Sequence, residues 1–187
     1  MTKLRSVSAL ILFLLLACTA SAPAQSPKPA AAPDTLTFAV IGDNGTGDKA
    51  QQAVADQMWQ TYQQTPFPLV LMLGDNLYAG NWKRIGAAFE KPYKPLLDAG
   101  VRFYATLGNH DIPTADQQIA YPLFNMGGQR HYSFSPAGSL VEFFAVDSSD
   151  PANVASQIQW LDGALAASTA RWKIVFVHHP PYSPGTR

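Results

Sequence analysis

Four strand-length apolar runs in this chain each break off into a cluster of glycine and polar residues, and no other feature constrains the fold as tightly. Leu36–Ile41 leads into Gly42-Asp43-Asn44-Gly45, and Leu69–Leu73 into Gly74-Asp75-Asn76-Leu77-Tyr78. Val101–Leu107 leads into Gly108-Asn109-His110-Asp111, and Trp172–Val177 into His178-His179-Pro180. The runs are apolar on both faces, as strands are when layers cover them on both sides. Leu140–Val146 has the same character, and Tyr132–Phe134 reads as a short additional strand. Helical spacing lies between the runs. Ala50, Ala53, Val54 and Met58 share one helical face, and Ile85, Ala88 and Phe89 suggest a helix ending before Pro92. Val154, Ile158, Leu161 and Leu165 share a third face, with Asp150 as candidate N-cap and Pro151 at the first helical position. Strands alternating with helices predict an α/β fold.

The chain has 187 residues, 47% of them apolar, enough for a packed core and too many for a disordered chain. The folded part is expected to begin near Thr35. Before it, Lys3 and Arg5 precede an apolar run from Val7 to Ala17, the pattern of a secretory leader over residues 1–24. That run is too short to span a bilayer, which takes about 20 apolar residues. Removal after Ala22-Pro23-Ala24 is one route. The other is a cut before Cys18, because Leu15-Leu16-Ala17-Cys18 resembles a bacterial lipobox. Either route predicts an extracytoplasmic protein: periplasmic, secreted, or an outer-membrane lipoprotein held by an N-terminal lipid. Residues 25–34 are small residues and proline and read as a tether.

The formal charge is zero, from 13 basic and 13 acidic residues. Cleavage after Ala24 leaves 11 against 13. Neither balance predicts a nucleic-acid footprint or a polybasic membrane surface. One cysteine excludes an intramolecular disulfide framework and a cysteine-rich zinc site. Gly-x-Ser-x-Gly and G-x-x-x-x-G-K-[ST] are both absent, which argues against a serine-hydrolase elbow and a P-loop.

In open α/β sheets the ligand site lies beyond the carboxyl ends of the strands, so four polar clusters at four such ends predict one shared pocket. The glycines permit sharp turns and a close backbone approach. Aspartate, asparagine, histidine and tyrosine are oxygen and nitrogen donors suited to hard or borderline cations. Taken singly, each cluster has an ordinary reading: Gly-Asp as a turn, Gly-Asn-His-Asp as a capped loop, His178 as a strand-end histidine, Tyr78 as a packing residue. It is their joint order and strand context that single out chemistry. Asp147, closing the fifth run, is open between supporting a ligand histidine and capping a turn.

With these motifs the sequence resembles the calcineurin-like metallophosphoesterases, and within them the purple acid phosphatases of the small, tartrate-resistant type, from about Thr35 onward. The resemblance implies a four-layer αββα sandwich with two metal ions at the strand ends. It implies Asp43 and Tyr78 on the first metal, Asp75 bridging both, and Asn109 and His178 on the second. His110 would stand beside the substrate and stabilise or protonate the leaving group, with Asp111 orienting it. Tyr78 marks the purple subtype. A phenol with a pKa of about 10 ionises near neutrality only beside a strong Lewis acid, so Fe(III) is implied there, with zinc, iron or manganese as the divalent partner. The implied activity is hydrolysis of small phosphate monoesters, with a metal-bound hydroxide as nucleophile.

The family carries a further Gly-His-x-His, with one histidine for each metal, and this sequence ends at Arg187 without it. Five of seven implied ligand positions are therefore present. His131 and His179 are not expected to substitute. The expectation is an N-terminal part of a longer protein, a sandwich incomplete at its C-terminal side, and weak or no turnover by this chain alone. Two other readings stay beside the monoesterase: a phosphodiesterase or nucleotidase on the same scaffold, and an inactive, lipid-tethered binding protein.

Overall fold

The computed structural model describes residues 34–183. The leader, Cys18 and the tether up to Pro33 lie outside the described residues. Strand β1 (Ala39–Ile41) is followed by helix α1 (Lys49–Gln64), β2 (Leu69–Met72), helix α2 (Lys94–Asp98) and β3 (Arg102–Ala105). Helix α3 (Ala115–Ala120), β4 (Tyr132–Phe134), β5 (Val141–Ala145), helix α4 (Val154–Ala167) and β6 (Trp172–Phe176) complete the order. The strands form two sheets. β1, β2 and β3 pair in sequence order, all parallel, whereas β5 pairs antiparallel with β4 and parallel with β6.

Alternation along β2 shows how the layers are built. Leu69 and Leu71 point into a core shared with Leu140, Val141, Phe143, Ala145 and Phe176 of the second sheet. Val70 and Met72 point the other way, into a core with Ala55 of α1, Phe89, Tyr93 and Leu96. Side chains alternate across a strand, so a run that is apolar at every position must be covered on both faces. On the far side of the second sheet Phe144 meets Trp160 of α4 with ring centroids 6.4 Å apart. The order is helix, sheet, sheet, helix, the αββα sandwich that the family resemblance implies.

Two helical faces differ from the expected ones. On α1 the inward face carries Gln51, Ala55, Met58 and Tyr62, whereas Val54 is 50% exposed. Gln51 turns inward because its amide is fully used: it accepts from Gly47 N at 2.6 Å and donates to Ala88 O at 2.5 Å. On α4 the buried position is Gln157, whose amide bonds Asp147 N and Asp147 O, both at 2.9 Å, while Val154 and Ile158 face outward. In both helices a glutamine that binds backbone rotated the face by about one residue. The segment around Ile85, Ala88 and Phe89 is a π-helical turn, Gly86–Glu90, closed by Lys91 N donating to Gly86 O at 2.9 Å. It buries Ala88 and Phe89 before Pro92. Asp150 caps the 3-10 turn Pro151–Asn153, which leads into α4.

Candidate metal centre

The parallel order of the first sheet brings the ends of β1, β2 and β3 to one edge, and β6 ends beside them. Leu73 N donates to Ile41 O at 2.8 Å, and Asp43 N to Gly74 O at 3.1 Å, so the first two loops leave their strands in step. Both aspartates adopt the left-handed region, Asp43 at φ +54° and Asp75 at φ +53°. Aspartate tolerates that conformation better than most residues, because its short polar side chain bonds locally. Gly74, at φ +92°, lets three segments converge. A Cβ there would stand 2.7 Å from Gly108 N and 2.9 Å from His178 Cβ. A Cβ on Gly108 would overlap the Asp75 carboxylate.

Ligand atoms of Asp43, Asp75 and His178 lie within 4.8 Å of one another. Asp75 is 2% exposed, and His178 Nε2 lies 3.6 Å from its Oδ1. His110 N donates to the same oxygen at 3.0 Å. Tyr78 donates its hydroxyl to Asp43 Oδ1 at 3.2 Å. Burial first, then the charges of Asp75 and Asp43, push the Tyr78 phenol well above its ordinary value. With protein groups alone it keeps its proton.

His178 supplies the most informative geometry. Its Nδ1 lies 2.9 Å from Leu73 O, a carbonyl that can only accept. In the neutral ring the proton therefore sits on Nδ1, and the Nε2 lone pair faces the site. Nε2 is 3.1 Å from Asn109 Oδ1 and 3.6 Å from Asp75 Oδ1. Three electron-pair donors point at one another, with the Asp43 carboxylate alongside. This all-oxygen-and-nitrogen set fits a divalent or trivalent cation. The Leu73 carbonyl is not legible in the sequence, because a backbone acceptor leaves no trace in residue identity.

The remaining expected residues fall as follows. The His110 ring is exposed and packs on Tyr78, with centroids 4.7 Å apart. Asp111 does not orient that ring. Its carboxylate is fully buried and accepts from Asn76 N (3.1 Å), Leu77 N (2.9 Å), Gly108 N (2.8 Å) and Gln118 Nε2 (2.8 Å). Burial pushes its carboxyl up while these four donors pull it down, and burial is the larger effect. Asp147 takes Arg130 Nη1 at 2.9 Å and Ser149 N at 2.9 Å, as an ion pair and a turn cap. His131 packs on Trp160, and His179 Nδ1 lies 2.8 Å from Ser148 Oγ.

Comparison with known proteins follows the same lines. The model of the calcineurin-like phosphoesterase family matches residues 36–187. Purple acid phosphatase 17 of Arabidopsis thaliana is 29% identical over 188 residues, covering 84% of this chain and 56% of its own length. The chain thus spans little more than half of that relative. A solved dimetal phosphatase from Danio rerio superposes with a TM-score of 0.61 at 16% identity, over 79% of this chain and 70% of that one. GAP50 of Plasmodium, the anchor in the inner membrane complex, does so at 0.62 and 21% identity, over 81% of this chain and 57% of that one. These two likenesses speak to the fold alone. With its family match over most of the chain, its αββα layers and its donor set at the strand ends, the chain belongs to the calcineurin-like phosphoesterase family.

Proposed function

We propose that the protein is a metal-dependent phosphoric ester hydrolase acting on small phosphate monoesters, in the manner of a purple acid phosphatase. The observation that carries the reading is the convergence of Asp43, Asp75 and His178 within 4.8 Å, with Tyr78 on Asp43 and Asn109 on His178. Asp43, Asp75 and Tyr78 would hold one ion, and Asp75, Asn109 and His178 a second. Tyr78 favours Fe(III) at the first position, and the second takes zinc, iron or manganese. Such ions, when bound, supply Lewis-acid charge for phosphoryl oxygens and acidify water.

The protein's own contribution is positional. Leu73 O holds the His178 ring with Nε2 toward the site, and the His110 main-chain N–H holds Asp75 Oδ1. The His110 ring, exposed beside Tyr78, would give a proton to the leaving oxygen of the ester. The leader supports an extracytoplasmic location.

Phosphate release from a monoester and from a diester, by the metal-loaded chain and its Asp75→Asn variant, tests this reading. The difference between the two proteins is what counts. Release from the monoester that is lost in Asp75→Asn is the expected result. Equal release by both proteins, or preference for the diester, contradicts it.

A further inference from the structure

Gln118, on the short helix α3, is fully buried, and nothing in its sequence surroundings marks it for function. Its side-chain amide is used at both ends. Nε2 donates to Asp111 Oδ1 at 2.8 Å and to Thr114 Oγ1 at 3.0 Å, and Oε1 accepts from Asn76 Nδ2 at 3.1 Å. Asn76 Nδ2 also reaches Thr106 O at 2.7 Å. The Asp111 carboxylate then takes the main-chain N–H groups of Asn76, Leu77 and Gly108. Each of those three amides is one residue from a candidate ligand: Asn76 follows Asp75, Leu77 precedes Tyr78, and Gly108 precedes Asn109.

We propose that Gln118 is a positioning residue of the metal centre: by clasping Asp111 and Asn76 together it fixes the separation of the β2 and β3 loops and hence the spacing of Asp75, Tyr78 and Asn109. A carboxamide is required because one end must donate to a carboxylate and the other accept from an amide. Glutamate would set a second negative charge against Asp111, and methionine would fill the volume without either bond. Removing one member of a buried hydrogen-bonded network leaves its partners unpaired and loosens the geometry they hold. Partners of this kind around metal sites are worth about 10- to 100-fold in affinity. The inference rests on the metal-centre reading above.

The test uses the full chain, with Gln118→Met and with Leu69→Ala as a control of comparable stability loss placed at the other end of β2. Zinc affinity by calorimetry, the visible spectrum of bound Co(II), and amide hydrogen exchange are measured on each. Gln118→Met is expected to lose about 10-fold or more in zinc affinity, to change the Co(II) spectrum, and to speed exchange at Asn76, Leu77 and Gly108. Leu69→Ala is expected to do none of these. Unchanged affinity and spectrum in Gln118→Met, or an equal loss in Leu69→Ala, overturns the proposal. Failure of the parent chain to bind zinc or Co(II) overturns the metal-centre reading instead, and exchange still decides the clasp: unchanged protection at those three amides refutes it.

Discussion

Two buried aspartates follow two strands, one in each sheet, and the protein treats them differently. Asp75, beyond β2, is 2% exposed, and Asp147, beyond β5, is 1% exposed. Asp147 is completed by protein: Arg130 pairs with it at 2.9 Å, Ser149 N caps it, and Gln157 binds its main chain on both sides. Asp75 has no Lys or Arg partner among the described residues and faces Asp43, His178 and Tyr78 instead. A buried carboxylate costs stability unless a charge or hydrogen bonds offset it. The second sheet's end meets that demand internally and so is architecture. On the reading proposed above, the first sheet's end meets it with a cation.

The contrast breaks most sharply on Asp75→Asn. Zinc affinity, read by calorimetry, should fall by more than about 100-fold, beyond the range typical of outer-sphere partners, with the circular dichroism of the folded chain retained. Next comes Gly74→Ala, which forces a Cβ against Gly108 N and His178 while keeping a left-handed backbone. Denaturant unfolding should show a loss of about 2–3 kcal/mol. Gly100→Ala, equally left-handed but with nothing within 4 Å of the added atom, should cost only about 1–2 kcal/mol. Asp147→Asn should cost about 2 kcal/mol, below the range for a fully buried pair because Arg130 is partly solvated. Its zinc affinity should stay within about threefold of the parent, below the 10-fold at which outer partners register. A larger affinity loss would mean that the two strand ends are one functional unit.

The smallest effect is expected at Tyr132, which joins the sheets by donating to Ala105 O at 2.8 Å. Burial pushes its phenol above the ordinary value near 10. Its contribution is intact below that pH. At higher pH the unfolded chain releases the proton while the folded chain keeps it, so stability falls with rising pH. Tyr132→Phe should cost about 1 kcal/mol at neutral pH and flatten that alkaline decline, both readable by denaturant unfolding across pH.

Much of this was legible in the residues. Strands apolar on both faces announce the double layer, and Gly-Asp, Gly-Asp-Asn and Gly-Asn-His-Asp at their ends announce the donor cluster. What stayed hidden was the work of long polar side chains that bind backbone. Gln51 and Gln157 rotate the inward faces of α1 and α4, and Gln118 lies beneath the metal centre, because an apolar periodicity assigns glutamine to solvent. The role of Asp111 is hidden for a related reason. Adjacency to His110 suggested a side-chain partner, whereas a buried carboxylate at a loop crossing is better served by three main-chain amides that sequence cannot place.

The most direct measurement is anomalous diffraction at the zinc edge from crystals of the full chain soaked in zinc. The expected result is two peaks flanking the Asp75 carboxylate, one toward Asp43 and Tyr78 and one toward Asn109 and His178 Nε2, each about 2.0–2.2 Å from its ligand atoms. A chain with no peak there, or one whose zinc lies on other residues while these stay unliganded, would contradict the metal centre assigned to the strand ends.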